Sequence, residues 1–312
     1  MIYLSCQPAI QKFTWEVEVY INNFVQMGVS PENIHVVCGL DLNEKEIPLS
    51  WQKLKNHFTK VNFFFYYDTR ERNNTYQPSI QAHLLEKHWL ANPDLEKKSV
   101  FFHDSDFVFT KPLDFEPFLK DDIWYLSNTI SYIGYNYISS KGEEIIDAMC
   151  DIAEIDKELV KNNQKKSGGA QKLIKNVPSW YWNKVYKLQL EWWNKIPPIS
   201  KRIAKNTKNY TELQHWTMSM WAELWMAWKI GKETKVPKEF DFNFATDNIS
   251  DWFTKYFYHN AGVINENQGM FFKGLFNNKL PYDYEIKNPK FDVTSWKYYQ
   301  LIKEVGKKSC LK

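Results

Sequence analysis

In the stretch Ser99-Val100-Phe101-Phe102-His103-Asp104-Ser105-Asp106, an apolar run leads directly into two carboxylates. A short apolar run of this kind predicts a buried strand. Acidic side chains next to a buried strand are unfavourable unless they are paired or bind a metal ion. Asp104 and Asp106 are therefore the first candidates for a functional site, and the alternative is that they only cap a turn.

Strand-like and helix-like segments alternate on the N-terminal side of this stretch. The pattern predicts strands over 1–6, 34–39, 61–66 and 99–102, and helices over 10–27, 50–58 and 79–90. This order predicts an α/β fold, with an α/β/α sandwich around a mostly parallel sheet. In such sheets the ligand binds beyond the carboxyl ends of the strands, so we expect the loops after these strands to share one edge.

The C-terminal part is predicted to be helical and rich in aromatic residues. The pattern indicates strands over 122–127 and 133–138, helices over 142–159 and 217–231, and short aromatic strands and loops after Trp252. The chain has 14 Trp, 18 Tyr and 21 Phe. Most of these rings are expected in the core, and some could line a ligand groove. With no repeat or linker in the sequence, we expect one domain over 1–312.

The distribution of charge predicts an anionic partner for the second half of the chain. The net charge is only +3, but residues 1–156 carry 13 Lys and Arg against 23 Asp and Glu, whereas residues 157–312 carry 27 against 14. Residues 161–211 hold 12 basic residues and one acidic residue, interleaved with seven Trp and Tyr. Cations and rings together are typical of a nucleic-acid groove. The alternative is a solvated basic helix with a buried aromatic stripe.

The sequence favours a cytoplasmic protein (host cytoplasm if the source is viral). The four cysteines, Cys6, Cys38, Cys150 and Cys310, show no metal-ligand spacing and are expected to be free thiols. We see no signal peptide and no apolar run of membrane-spanning length. Lysine outnumbers arginine 37 to 3, a bias that A+T-rich codons produce, as in many bacteriophages.

A metal site is predicted from the carboxylate pair and one distant histidine. Mg²⁺ or Mn²⁺ prefers oxygen ligands from one or two carboxylates, with substrate phosphates completing the set. His259 lies in a His-x-x-Gly segment after the strand-like run Tyr256-Phe257-Tyr258, and a neutral imidazole is a normal ligand for Mn²⁺. The predicted ligands are Asp104, Asp106 and His259; the alternative for His259 is a place in the aromatic core.

Four segments resemble a family of transferases with the GT-A fold, typified by plant hydroxyproline O-arabinosyltransferases and peptidyl serine galactosyltransferases. They are 102–113, Ser167-Gly168-Gly169-Ala170-Gln171, Trp182-Asn183-Lys184-Val185 and Trp221-Ala222-Glu223-Leu224-Trp225. The resemblance implies a metal-dependent glycosyltransferase with a nucleotide-sugar donor, such as a UDP-sugar or UDP-arabinose. Residues 1–115 would be the nucleotide-binding half and 116–312 the acceptor-binding half. The plant enzymes have a Glu-Pro-Asp-like turn where this chain has Asp-Ser-Asp.

Further donor-binding residues are predicted from strand ends, a helix and loops. The resemblance implies that Gly168 and Gly169 form a loop that lets the backbone approach the sugar or the acceptor. The other candidates for contact with the nucleotide or its diphosphate are Ser5, Gln7, Tyr67, Asp68, Gln81, Lys87, Ser105 and Lys273. For helix-surface Gln and Lys, simple solvation is the alternative.

The acceptor side is open at the level of sequence. An inverting reaction needs a general base, for which a carboxylate among rings is suited; Glu223 is the first candidate, with His215 and Glu212 next. The alternative for Glu223 is a place on a solvated face or pairing with a lysine. A retaining reaction needs no base there. The acceptor is predicted to be double-stranded DNA with a hydroxymethylated cytosine, and a peptide, glycan or lipid-linked acceptor is the alternative. A non-catalytic nucleic-acid-binding protein is a third possibility.

Overall fold

The computed structural model describes residues 1–71 and 74–312, which form a mixed α/β fold. Its strands are β1 (Ile2–Pro8), β2 (Ile34–Leu40), β3 (Asn62–Tyr67), β4 (Ser99–His103), β5 (Phe107–Phe109), β6 (Trp124–Asn128), β7 (Gly168–Lys175), β8 (Thr234–Lys235), β9 (Phe242–Asn243) and β10 (Phe257–His259). Its helices are α1 (Gln11–Gln26), α2 (Leu49–His57), α3 (Ser79–Ala91), α4 (Ile130–Ile133), α5 (Tyr135–Ser139), α6 (Glu143–Ala153), α7 (Lys157–Asn162), α8 (Trp180–Asn206), α9 (Met218–Lys229), α10 (Asp251–Thr254) and α11 (Thr294–Gly306). The predicted fold class is confirmed.

The described chain divides into two compact units. The first unit comprises Met1–Asp68, Phe101–Phe115 and Lys238–Lys312. The second unit comprises Thr69–Val100 and Glu116–Pro237. The first unit therefore contains the carboxylate pair, His259 and Lys273, and the second contains Gly168, Gly169 and the Trp-rich helix.

The first unit is built on parallel strands, as the sequence pattern predicts. β1 lies between β2 and β4, and β3 pairs with the other edge of β2. The β1–β2 and β2–β3 pairs are parallel, with Ser5 opposite Val36 and Val36 opposite Phe63. α1 ends where predicted, and Gly28 follows it with φ +89°, a conformation that favours glycine. β1 extends to Pro8, two residues beyond the predicted strand.

A second, small sheet follows the carboxylate pair in the first unit. β10 lies between β5 and β9, antiparallel to β5 and parallel to β9. Asn23 of α1 fixes β5: its side-chain amide donates to the carbonyl of Phe109 at 2.9 Å, and its side-chain oxygen accepts from the Phe109 amide at 2.8 Å. One buried side chain on a helix therefore satisfies two main-chain groups of the strand.

The second unit has a core of tryptophans between its helices and the strands β6, β7 and β8. β6 lies between β7, with which it is antiparallel, and β8, with which it is parallel. α8 and α9 pack together, and Trp192 and Trp225 meet edge to face with ring centroids 5.1 Å apart. The prediction that most aromatic residues are buried is confirmed here.

Two local predictions in the second unit are wrong. Residues 133–138 are not a strand; they belong to α4 and α5, which Gly134 separates, and the buried residues of α5, Tyr135 and Ile138, have the spacing of one helix face. The predicted helix over 142–159 is broken into α6 and α7 at Glu154, which adopts a left-handed conformation with φ 49°.

Two further predictions concern the state of the cysteines and the presence of membrane-spanning helices. All four cysteines are free, and three of them are buried. Among the described residues, no helix has both the length and the apolar character needed to cross a bilayer. The three buried cysteines pack in the core as reduced thiols.

We predict that Asn23→Ala lowers the free energy of unfolding by about 2–4 kcal/mol, because it leaves the buried amide and carbonyl of Phe109 without these partners. The matched control is Asn22→Ala, in which only a bond from the side chain to the Glu18 carbonyl of the same helix is lost. Chemical denaturation of both variants measures the difference. Equal effects of the two substitutions would show that Asn23 does not fix β5.

Candidate active site

The pairing of β5 with β10 assembles the predicted metal ligands. The chain leaves β4 at His103, turns through Asp104-Ser105-Asp106 and enters β5. In the antiparallel register, His259 lies opposite Phe107, the residue after Asp106. The amide of Asn260 donates to the Asp106 carbonyl at 3.1 Å. The ladder therefore brings a histidine about 150 residues downstream to the carboxylate pair.

Asp104, Asp106 and His259 present three ligand atoms to a common point. One ligand atom from each residue lies within 4.8 Å of the others. His259 Nε2 is 3.5 Å from Asp104 Oδ2 and 3.3 Å from Asp106 Oδ1. The Asp106 side chain is 4% exposed and that of Asp104 is 34% exposed. The cluster is therefore closed on the Asp106 side and open to ligands on the Asp104 side.

Lys273 reaches the same cluster from the C-terminal part of the first unit. Its ammonium donates to Asp106 Oδ2. A 3₁₀ turn over Lys273–Phe276 presents the side chain, and the stacked rings of Phe271 and Phe276 bracket this turn, with centroids 5.3 Å apart. Trp15 of α1 meets Phe271 edge to face. Aromatic packing therefore fixes where the lysine enters the site.

Glu16 is a buried carboxylate that sequence reasoning did not single out. It lies on α1, is 1% exposed, and accepts a hydrogen bond from the Ser105 hydroxyl in the middle of the Asp-Ser-Asp turn. The sequence carries one signal for it, since Glu16 and Glu18 interrupt a helix whose neighbours Val17, Val19 and Tyr20 are all buried. Ser105 thus braces the turn against α1 and is itself 7% exposed.

Burial and the neighbouring charges together lower the pKa of Asp106 and raise the pKa values of Glu16 and His259. Burial acts to raise the pKa of Asp106, but Lys273 and His259 reverse this and hold it below its usual range. Burial and the neighbouring Asp106 raise the pKa of Glu16 to about 7, against the opposing effect of Lys273. Burial lowers the pKa of His259, and the two aspartates more than offset it, so the net shift is upward. Asp106 is therefore held as a carboxylate.

The donor set suits a divalent cation. Two carboxylates and one imidazole match Mn²⁺ better than Mg²⁺, which prefers oxygen ligands alone. Asp106 is ionised, as a ligand must be. Three protein ligands leave further coordination positions for water or substrate oxygens. The residues present therefore fit such an ion.

A cleft opens in the first unit beyond the carboxyl ends of β1 and β2. Its volume is about 510 Å³, within the range of small-molecule pockets. It is lined by Ala9, Ile10, Gln11, Thr14, Glu44, Pro48, Leu49, Ser50, Lys53, Leu280 and Leu311. Thr14 and Glu16 are two residues apart on α1, so one helix contributes both to the cleft and to the support of the Asp-Ser-Asp turn.

Four predicted nucleotide contacts in the first unit lie within or directly after the strands β1 and β3. Ser5 and Gln7 are inside β1 and buried, since Ser5 Oγ is bonded to the Tyr20 hydroxyl at 2.8 Å and Gln7 donates to the Val37 carbonyl. The prediction that these two residues lie at the end of the strand is wrong, because β1 continues to Pro8. Tyr67 ends β3 and is 44% exposed, and the amide of Asp68 donates to the Leu40 carbonyl.

Gly168 and Gly169 belong to β7 rather than to the predicted loop. They pair with Asn128 and Ser127 of β6. A Cβ on Gly168 would lie 2.4 Å from the Cβ of Leu126, and one on Gly169 would lie 2.5 Å from the Met220 methyl carbon. Gly168 is needed for close packing against the backbone of β6, whereas at Gly169 the nearest atom is the end of a flexible side chain; neither glycine forms a turn. The cavity between β7 and α9 is only about 10 Å³, room for about one water molecule.

Glu223 forms a buried ion pair in the second unit. The Lys172 ammonium donates to its carboxylate, and the two side chains are 9% and 11% exposed. Lys172 lies on β7 and Glu223 on α9, and the Tyr181 hydroxyl donates to the Glu223 carbonyl at 2.6 Å. The pairing with lysine that was the alternative for Glu223 is therefore present in the structure.

The remaining candidates are spread over the second unit. Glu212 is exposed before α9, and His215 begins a 3₁₀ turn at its start, with a pKa lowered by burial. Gln81 is half-buried on α3, and Lys87 of the same helix donates to the Thr69 hydroxyl at 2.8 Å. Their predicted roles in catalysis or donor binding stay predictions.

Comparison with known proteins gives similarities of structure alone. No family model and no curated protein matches the chain. Similar solved structures include the galactosyltransferase LgtC with donor and acceptor sugar analogs, mouse xyloside xylosyltransferase 1 in apo form, and the bifunctional glycosyltransferase WbbM in apo form. All three are glycosyltransferases, the class that the sequence resemblance implied.

These likenesses are distant. For LgtC the identity is 11% and the TM-score 0.43, over 98% of this chain and 95% of that one. For the mouse enzyme the identity is 10% and the TM-score 0.40, over 83% of this chain and 96% of the mouse enzyme's chain. For WbbM they are 14% and 0.43, over 85% of this chain and 46% of the other, so the chain spans less than half of WbbM. At these values the likeness shows neither a family nor a substrate.

We predict that Glu223→Gln lowers the free energy of unfolding by about 3–5 kcal/mol, because it leaves the buried Lys172 ammonium without its counter-ion. Lys172→Met combined with Glu223→Leu should recover most of this loss. The control is the exposed Glu212→Gln, with an expected effect within about 0.5 kcal/mol. Chemical denaturation measures all three, and a Glu223→Gln protein as stable as wild type would show that the pair is not structural.

Proposed function

We propose that the chain is a metal-dependent glycosyltransferase that moves a sugar from a nucleotide-sugar donor to a hydroxyl acceptor. The observation that carries this proposal is the convergence of Asp104, Asp106 and His259 on one point at the carboxyl end of β4. Ligands of parallel α/β sheets bind at this edge. Mn²⁺ suits this donor set best, with Mg²⁺ as the second candidate.

The residues around this point have two proposed roles, metal binding and contact with the diphosphate of the donor. A bound divalent cation supplies Lewis-acid stabilisation of the charge that develops on the nucleoside diphosphate leaving group. Asp104, Asp106 and His259 would hold it, and Lys273 adds a positive charge on the buried side. We propose that Lys273 donates to a diphosphate oxygen in the donor complex, which lowers the energy of the leaving group.

We propose that the cleft in the first unit receives the nucleoside. Its volume fits a base and ribose, and its walls combine apolar side chains with Gln11, Thr14 and Lys53. The start of α1 lines the cleft, and the first turn of a helix favours anionic groups because its amides are not bonded within the helix. A UDP-sugar is the proposed donor, and UDP-arabinose is one specific candidate.

The acceptor side is proposed to lie in the second unit. If the reaction inverts configuration, Glu223 would be the base, and Lys172 would have to release its carboxylate first. His215 and Glu212 are the other proposed bases. Gly168 and Gly169 lie beside Glu223 on the wall of the same narrow cavity.

We predict that Asp106→Asn lowers metal-stimulated release of nucleotide from the donor at least about 100-fold, because it removes a charged metal ligand. The measurement incubates the protein with Mn²⁺ and a panel of UDP- and GDP-sugars, with and without acceptors. The matched control, Asp283→Asn, changes an exposed carboxylate paired with Lys312 and should act as wild type. Undiminished release by the Asp106→Asn protein would refute the metal-dependent mechanism.

Double-stranded DNA is the proposed acceptor, and the exposed face of α8 favours it. The helix has 27 residues and so spans about 40 Å. Its exposed residues include Trp180 at 51% and a row of cations: Lys184, Lys187, Lys195, Lys201, Arg202 and Lys205. A row of cations along a helix can follow a phosphate backbone. This row of cations favours double-stranded DNA over a peptide, glycan or lipid-linked acceptor.

We predict that Lys184→Glu with Lys187→Glu weakens binding of duplex DNA at least about 10-fold at low salt, because phosphate contacts are lost. The control, Lys287→Glu with Lys290→Glu, makes the same change in net charge at exposed sites of the first unit. Gel-shift titrations over a range of salt concentrations measure both. Equal effects of the two pairs, or no binding by the wild type at low salt, would exclude α8 as a DNA-binding surface.

A further inference from the structure

Asp106 has two oxygens with different neighbours, and only one of them faces the proposed metal site. Oδ1 lies 3.3 Å from His259 Nε2, on the side shared with Asp104. Oδ2 accepts from the Lys273 ammonium. Lys273 would therefore be a second cation at the Asp106 carboxylate, beside the metal ion that the carboxylate is proposed to bind. Like charges so close repel, so the lysine and a divalent ion are in competition for Asp106.

Glu16 offers the lysine a second carboxylate. Its Oε2 accepts from Ser105, but its Oε1 is buried and has no hydrogen-bond partner among the described residues. A buried carboxylate oxygen without a partner is unfavourable. The Glu16 and Lys273 charges act on each other, and each shifts the pKa of the other group. The ammonium is thus bonded to one buried carboxylate, and its charge acts on a second one that is bonded to the neighbouring Ser105.

We propose that Lys273 is an exchangeable counter-ion: its ammonium is bonded to Asp106 when the metal site is empty and moves to Glu16 Oε1 when a divalent cation binds before the donor does. This inference rests on the proposed function, because it takes Asp104, Asp106 and His259 as the metal ligands. The flexible stem of lysine and its three donors permit the shift, while the turn over Lys273–Phe276 stays fixed by its rings.

The exchange has a consequence for how the site loads. In the metal-free protein Lys273 neutralises Asp106, so the buried aspartate is never left uncompensated. Metal binding releases Lys273 from this bond, and the ammonium then compensates Glu16. Glu16 therefore supports metal binding only through Lys273, which makes Glu16 and Lys273 positioning residues coupled to each other.

A double-mutant cycle on metal affinity tests this exchange. Mn²⁺ binding is measured directly, from the loss of the free-ion electron paramagnetic resonance signal, for wild type, Lys273→Met, Glu16→Gln and the double variant, without nucleotide. We expect Lys273→Met to bind Mn²⁺ about 10-fold more tightly and Glu16→Gln about 10-fold more weakly. In the Lys273→Met background, Glu16→Gln should change the affinity less than about 2-fold.

The controls separate exchange from simple charge effects. Lys12→Met removes another cation whose charge acts on Glu16, and it should change Mn²⁺ affinity much less than Lys273→Met. Equal effects of Glu16→Gln in both backgrounds would overturn the exchange, since charge alone acts additively. If Glu16→Gln does not fold, Lys273→Met still decides: unchanged or weaker Mn²⁺ binding overturns the inference.

Mn²⁺ binding by a different variant, Asp106→Asn, tests the proposed function. Asp106→Asn should abolish Mn²⁺ binding whatever Lys273 does. If Asp106→Asn binds Mn²⁺ as wild type does, the proposed metal site is wrong and the inference fails with it. If Asp106→Asn loses Mn²⁺ while Lys273→Met binds as wild type, only the inference fails.

Discussion

The antiparallel pairing of β5 with β10 is the constraint on which the candidate site depends. It is only three residues long, yet it sets His259 beside two carboxylates that lie about 150 positions earlier in the chain. Asn23 holds β5 from the side of α1, and Glu16 of the same helix accepts from Ser105 in the turn before β5. One helix therefore supports both the ligand-bearing turn and the strand that positions the third ligand.

Buried charge is compensated by a lysine in each unit. In the first unit Lys273 is bonded to Asp106, and in the second Lys172 is bonded to Glu223. Leaving either carboxylate unpaired would cost several kcal/mol, on the order of the stability of a whole domain. The two pairs differ in their surroundings: the Lys273 side chain is 36% exposed, whereas that of Lys172 is 9% exposed. The first pair can therefore exchange partners, and the second behaves as part of the core.

The sequence predicted the sheet of the first unit because its apolar runs have strand length and are separated by helical periods. The Asp pair and His259 were found for the same reason, since each follows such a run. The loop predicted for Gly168 and Gly169 is wrong, because a pair of glycines within a strand has the same local sequence as a pair of glycines in a turn. The contact of Glu16 with Ser105 and the lysine partners of Asp106 and Glu223 join distant segments of the chain, and no local pattern encodes such contacts.

We propose that Asp104, Asp106 and His259 together hold one divalent cation. Electron spin echo modulation of Mn²⁺ bound to the protein tests this ligand set, because it detects a coordinated imidazole nitrogen. We predict one bound Mn²⁺ per chain with one imidazole nitrogen, and loss of the nitrogen signal in His259→Gln. Mn²⁺ bound without a nitrogen ligand, or a nitrogen signal unchanged in His259→Gln, would contradict the account.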